Sequence, residues 1–229
     1  MVDTEDVRLA VYRAFLAHGR APGVDQIAVE TGGDGTQVVA ALRALADARH
    51  LVLGAEHEVV MAHPFSSVQL GFAVMGAHTL WWGGCAWDSF ALPHLVGAAD
   101  PAALLDGEAV LVSTRCPACS RPHAWNVSRI APPDADQVAH FLVPAAHMWD
   151  DVVHTCSNQR IFCSTDCVDR WLAATGNTRG YVMTMATLWR FAQHWYDGRL
   201  DRGYRRRDPA HAADYMREAG LEGPFWGLD

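Results

Sequence analysis

Four cysteines set the tightest constraint on how this chain folds. Cys116-Pro-Ala-Cys119 makes a close CxxC pair, and Cys163-Ser-Thr-Asp-Cys167 follows after an intervening stretch of 43 residues. Thiolates at these spacings suit tetrahedral zinc. A redox CxxC is the weaker reading, because no thioredoxin-like strand–helix–strand pattern surrounds it. If one metal takes all four sulfurs, the fold must carry the end of an extended segment (Ala109 to Ser113) onto the start of a helix. Ser164 is a fit N-cap for that helix, which runs from about Thr165 to Thr175 and is closed by Gly176. The alternative is a set of reduced structural thiols.

The rest of the chain reads as α+β. Apolar residues recur at helical spacing from Thr4 to His18, and a short helix over Asp25–Thr31 ends at Gly32-Gly33. A third helix runs from about Gly35 to Ala48. Leu51–Gly54 and Val59–Ala62 then form a hairpin. Three helices and a hairpin make a winged helix-turn-helix pattern over residues 1–65. That unit is expected to pack on a mixed α+β core over residues 66–229, with a small, largely antiparallel sheet. Strand candidates in the core are Ala109–Ser113, His123–Ile130, Val138–Val143, Arg160–Cys163 and Tyr181–Ala186, and a last helix spans Thr187–Leu200. A CxxC turn after a strand, with two more cysteines at a helix N-terminus, resembles a treble-clef zinc site. Pro93 and Gly97 mark the end of the first central helix, or a kink in it.

A winged helix suggests DNA, but charge argues against it. Residues 1–65 hold five Arg against nine Asp and Glu, and the third helix offers only Arg43 and Arg49 as cations. A DNA reader needs cations for the phosphates, and the whole chain carries −8. The N-terminal third is therefore expected to serve as scaffold. The acidic start is unlike a secretory or transit peptide, and no apolar run reaches bilayer length, so the expected location is cytoplasmic, with no membrane partner. In such a chain six cysteines point to metal or catalysis rather than disulfides.

Cys85 and Cys156 remain outside the zinc set. Cys85 lies in Trp81-Trp82-Gly83-Gly84-Cys85-Ala86-Trp87-Asp88. On a helix Cys85 and Asp88 share one face, a turn apart. This is either a reaction centre or a buried Cys beside a helix-capping Asp. Cys156 is expected in a polar loop entering the Ile161-Phe162 strand. Two such thiols with a carboxylate suit a soft metal ion or an organometal. Among the histidines only His154, two residues before Cys156, invites attention. The run Arg199, Arg202, Arg205, Arg206, Arg207 is interleaved with Asp197, Asp201 and Asp208 and reads as a solvated, salt-bridged segment. Trp189, Phe191 and Trp195 read as core, and Phe225-Trp226 as a tail that packs back.

The motif Gly-Cys85-Ala-Trp-Asp88, then Val112-Ser113-Thr-Arg-Cys116, then Cys156 six residues before Phe162, resembles the organomercurial (alkylmercury) lyases over roughly residues 5–195. The resemblance implies an enzyme that cleaves carbon–mercury bonds by protonolysis. Cys85 and Cys156 would hold mercury as the two catalytic thiols, and Asp88 would be the acid. It also implies an organomercurial substrate and no organic cofactor. Low-molecular-weight thiols or a mercury-accepting protein would take the product, and a homodimer is compatible with it. Cys116 matches a structural cysteine of the family, whereas Cys119, Cys163 and Cys167 are additions, so a structural zinc on the four is expected. Trp87 stands where an aliphatic residue is expected and would narrow the pocket. Burial beside Trp81, Trp82 and Trp87 is expected to raise the Asp88 pKa. Two other functions use the same residues: a metal-sensing winged-helix protein without turnover, and a lyase for a substrate other than a mercurial.

Overall fold

The computed structural model describes residues 2–229. Asp3 caps helix α1 (Thr4–His18), and Gly19 ends it in the left-handed conformation that glycine adopts without a Cβ penalty. Helices α2 (Val24–Thr31) and α3 (Gly35–Asp47) pack against it. The hairpin β1 (Val52–Leu53) and β2 (Val59–Ala62) follows. It does not stand apart as a wing. The next strand, β3 (Phe65–Ser66), pairs with β2 on one side and with β5 (Leu80–Gly83), which follows β4 (Phe72–Met75), on the other.

Helix α4 (Ala86–Ala99) comes next, then β6 (Ala109–Arg115) and β7 (Pro122–Ser128). Together they give one seven-stranded sheet in the order β1-β2-β3-β5-β4-β6-β7, antiparallel at every pairing. It is larger than the small sheet expected, because the hairpin joins it through β3. The expected division at residue 65 meets strand β3, and one hydrophobic cluster runs from Val7 to Leu228 across it, with a smaller one around Cys116, Phe162 and Cys167.

A second, three-stranded sheet has the order β10-β8-β9. It uses β8 (Val138–Phe141), β9 (Gln159–Phe162) and β10 (Tyr181–Thr184), with α5 (Val152–Ser157) leading into β9 and α6 (Thr165–Thr175) leaving it. Helix α7 (Met185–Gln193) then packs on α4, and α8 (Ala213–Glu218) and the tail close over it, with Trp226 buried.

Helix α4 is apolar all round and buried from Ala86 to Pro93, as a helix enclosed on all sides must be. It lies between the large sheet and α7. That enclosure carries it through Pro93 to Ala99, where the sequence suggests a stop or a kink. Helix α7 ends at Gln193, short of the expected Leu200. Cys156 sits on α5 rather than in a loop. The helix is only six residues long, capped by Asp151 accepting from the His154 amide at 2.9 Å, and is too short to show a period. Among the described residues no helix is long and apolar enough to cross a membrane.

Candidate functional site

The site begins at the junction of β5 and α4. Cys85 is the N-cap of α4, in extended conformation, and its sulfur accepts the backbone N–H of Asp88 at 3.4 Å. The cap position places the thiol and carboxylate one turn apart at the positive end of the helix. Two glycines make the approach possible. A Cβ on Gly84 would lie 2.3 Å from Asp88 Oδ2, and one on Gly83 would lie 2.1 Å from Ser89 Oγ. Ser89 in turn donates to the Cys85 carbonyl at 2.6 Å.

Asp88 is 1% exposed. Its Oδ2 faces Nδ1 of His63 at 3.1 Å, and its Oδ1 accepts the hydroxyl of Tyr196. Burial is the largest influence and pushes the carboxyl up, as the sequence suggests. His63, Tyr196 and Cys85 together outweigh it, so the group sits below the usual aspartate value. This corrects the expected rise: donors from distant segments reverse the sign, and of Trp81, Trp82 and Trp87 only Trp87 lines the cavity with Asp88. The thiols go the other way. Burial, the hydrogen bond to Cys156 and the Asp88 charge push Cys85 well above its ordinary value. For Cys156 the hydrogen bond to Cys85 lowers the value, but burial and Asp88 win and it is raised.

Cys156 reaches the same place from α5 and is equally buried. Its sulfur, an Asp88 oxygen and a His63 nitrogen lie within 4.8 Å of one another. A cavity of about 50 Å³ opens onto Cys85, Asp88, Cys156 and His63, with Trp149 and Trp195 among its walls. A single water occupies about 30 Å³ in the liquid, so the space suits a small ligand. Trp87 forms part of the wall, but its ring is stacked on Phe191 at 3.8 Å and packs against Trp195 at 4.5 Å. It belongs largely to the aromatic layer between α4 and α7.

The structure therefore brings Cys85, Asp88 and Cys156 together. It adds His63, Tyr196 and Gln159, which no local motif singles out. His154 is exposed, its ring meets only Asn158, and it does not line the cavity. The Arg199–Arg207 segment divides. Arg202 pairs at the surface with Asp3 and Asp6, as a solvated residue would, whereas Arg199 is buried and lines the cavity with Arg206 and Arg207.

The other four cysteines converge at the junction of the two sheets. Cys116 and Cys119 follow β6, Cys163 follows β9, and Cys167 lies in the first turn of α6. Their sulfurs lie within 4.8 Å of one another, with Cys119 and Cys163 at 3.5 Å. Tetrahedral zinc with bonds of about 2.3 Å needs sulfurs about 3.8 Å apart. Arg170 donates to Cys167 Sγ at 2.8 Å, and His123 Nε2 lies 3.3 Å from Cys163 Sγ. The donor set could hold a metal, and the arginine suits a cluster with excess thiolate charge.

A buried pair of thiols with a carboxylate, on an antiparallel α+β frame, defines a candidate lyase for soft organometals. Residues 65–197, more than half of the chain, match the family model for alkylmercury lyase. The chain belongs to the alkylmercury lyase family, and it is an enzyme of the lyase class. A solved structure, the mercury-bound form of MerB2, superposes with a TM-score of 0.61 at 17% sequence identity, covering 87% of this chain and 93% of that one. At that identity the likeness speaks for the fold. No curated protein matches the chain by sequence.

Proposed function

We propose that the protein cleaves the carbon–mercury bond by protonolysis at Cys85, Cys156 and Asp88. The observation that carries this reading is their meeting in one buried cavity from segments 68 residues apart along the chain. Mercury is soft, and thiolates are its preferred protein ligands. A substrate R–Hg–SR′ exchanges its carrier thiol for one cysteine, whose proton leaves on R′SH. The second thiol then adds to mercury and gives its proton to Asp88. Two thiolate donors load electron density onto mercury, weaken the carbon–mercury bond and make the carbon basic. Asp88 returns the proton to that carbon, releasing R–H and leaving mercury on Cys85 and Cys156. Every proton is accounted for: two thiols give two, one to R′SH and one to R–H.

The electrostatics set the resting state: Asp88 is ionised and both thiols keep their protons. Binding to mercury acidifies the second thiol, and only then does its proton pass to Asp88. His63 and Tyr196 orient it. External low-molecular-weight thiols, or a mercury-accepting protein, then remove Hg(II) by ligand exchange. Cys116, Cys119, Cys163 and Cys167 would hold a structural zinc, which supplies a cross-link between the two sheets and has no redox chemistry of its own. The N-terminal helices act as scaffold, in keeping with their acidic charge, and a cytoplasmic setting keeps the thiols reduced.

The test is incubation with phenylmercury and excess thiol, measuring benzene. Release is expected from the wild type, and Cys85→Ala, Cys156→Ala and Asp88→Ala are each expected to abolish it while retaining the fold. Wild-type turnover in any of the three sinks the assignment.

A further inference from the structure

The floor of the cavity holds thiols and an acid, but its mouth is basic. Arg199, Arg206 and Arg207 all line it, on a chain whose net charge is −8. Arg199 is 3% exposed. It donates to the Tyr12 hydroxyl at 2.7 Å and lies 4.8 Å over the rings of Tyr196 and Tyr204, and its Nε has no partner. Among the described residues no carboxylate lies within ion-pair distance of it. A buried cation without a counter-ion is costly, and ring faces offset only part of that.

Arg207 lies at the rim and, unlike Arg199, is exposed. It donates to the His194 carbonyl at 2.6 Å and stacks 5.0 Å over Tyr215. Arg206 lies 5.0 Å over Trp149 and pairs with Asp208 at 2.7 Å, which Arg49 also reaches at 3.4 Å. Asp208 is the carboxylate that pairs within this group, and Asp197 and Glu218 lie near the Tyr215 ring under Arg207. Asp88 is already taken up by His63 and Tyr196. One buried guanidinium at the cavity, Arg199, is left without an anion, and the exposed Arg207 stands beside it.

We infer that this mouth is a subsite for a carboxylate carried by the substrate. The preferred substrate class is then an organomercurial whose organic group, or whose carrier thiol, bears a carboxylate. A guanidinium presents a planar fork that matches a carboxylate edge to edge. One cavity is lined by both the thiols and the guanidiniums, so a ligand held at the thiols meets the guanidiniums a short distance away. The subsite rests on the carbon–mercury reading of the floor, and its recognition step makes and breaks no covalent bond.

Two matched substrate pairs test it on the full-length protein. Phenylmercury against 4-mercuribenzoate places the carboxylate on the organic group. Methylmercury as its 2-mercaptoethanol adduct against its mercaptoacetate adduct places it on the carrier. The wild type is expected to favour the carboxylated member of at least one pair by about tenfold or more in kcat/KM, mainly through KM, the scale of a charge-assisted hydrogen bond. The pair that shows the preference tells which group carries the charge. In Arg207→Gln, and in the double variant with Arg206→Gln, the ratio is expected to fall towards one, whereas loss of a merely structural arginine would lower both members alike. Arg207 is exposed at the rim, so its variant remains informative even if Arg199→Gln fails to fold. Equal kcat/KM within both pairs, or a preference untouched in the double variant, overturns the subsite and leaves the lyase reading standing. Absence of hydrocarbon from all four substrates overturns both.

Discussion

Tyr196→Phe removes one hydroxyl from the site and keeps the ring that Arg199 stacks upon. Tyr196 is 6% exposed, and its hydroxyl donates to a carboxylate that is itself 1% exposed. A hydrogen bond to a buried charged group contributes about 1.5–3 kcal/mol, or about one to two units of pKa. Burial, the largest influence on Asp88, pushes it up and is at present outweighed by His63, Tyr196 and Cys85. Without the phenol the balance moves upward by that amount. The sign of the stability change follows. A carboxyl whose folded value lies below its unfolded value of about 3.9 stabilises the fold above that pH, and loses the contribution as pH falls through the folded value. The variant is therefore expected to be less stable at pH 7 by about 1.5–3 kcal/mol in urea melts, with the gap closing below about pH 4. In kcat/KM for phenylmercury against pH, the acidic limb is expected to move up by about one to two units, since that limb reports the base of the free enzyme. An unmoved limb together with unchanged stability at pH 7 would refute Asp88 as the resting base and Tyr196 as its holder.

Gly84→Ala places a Cβ 2.3 Å from Asp88 Oδ2 and 2.7 Å from Met61 Cε. It is expected to displace the carboxylate and cost about 100-fold or more in turnover, as a misplaced reacting group does, with circular dichroism little changed. Metal analysis of protein purified without added metal is expected to give about one zinc per chain, in line with a four-thiolate site. Cys163→Ser with Cys167→Ser should remove the zinc and lower Tm, and six freely titratable thiols in the wild type would end the idea. Burial holds His50, His94 and His140 down to about 4. The unfolded chain binds these protons near pH 6.5 while the folded chain refuses them, so stability is full above 6.5 and is lost as pH falls towards 4. The fully buried His140 contributes on the order of 2–3 kcal/mol of that loss. A flat Tm between pH 6.5 and 4.5 would contradict this.

The sequence made the three N-terminal helices legible, through apolar period and glycine stops, along with strands β6 to β9 and helix α6. It did not show β4 and β5, because Phe-Ala-Val-Met is apolar throughout and Leu-Trp-Trp-Gly carries no alternation. Nor did it show that Pro93 is tolerated, since that depends on α4 being enclosed between the large sheet and α7. At the site, the Cys85–Asp88 spacing was visible because a helical turn is local. His63 and Tyr196 were not, because they meet Asp88 from 25 and 108 residues away. The direction of the Asp88 shift is hidden for the same reason: burial is suggested by the apolar neighbours in sequence, and the donors are neighbours only in space. Arg199 likewise looked solvated among alternating acids, yet its hydrogen-bond partner is Tyr12, 187 positions earlier.

The strand β3 joins the N-terminal hairpin to the rest of the sheet, and the segment matched to the family begins at its first residue. The two central thiols and the acid fall inside that segment, whereas His63, Arg199, Arg206 and Arg207 fall outside it. A graft of residues 65–197 into another protein would therefore transplant the reactive groups without the histidine that holds the carboxylate, without the arginines at the mouth, and with an open sheet edge at Phe65. On the proposed reading, such a block would carry the reacting groups and leave their tuning in the flanks.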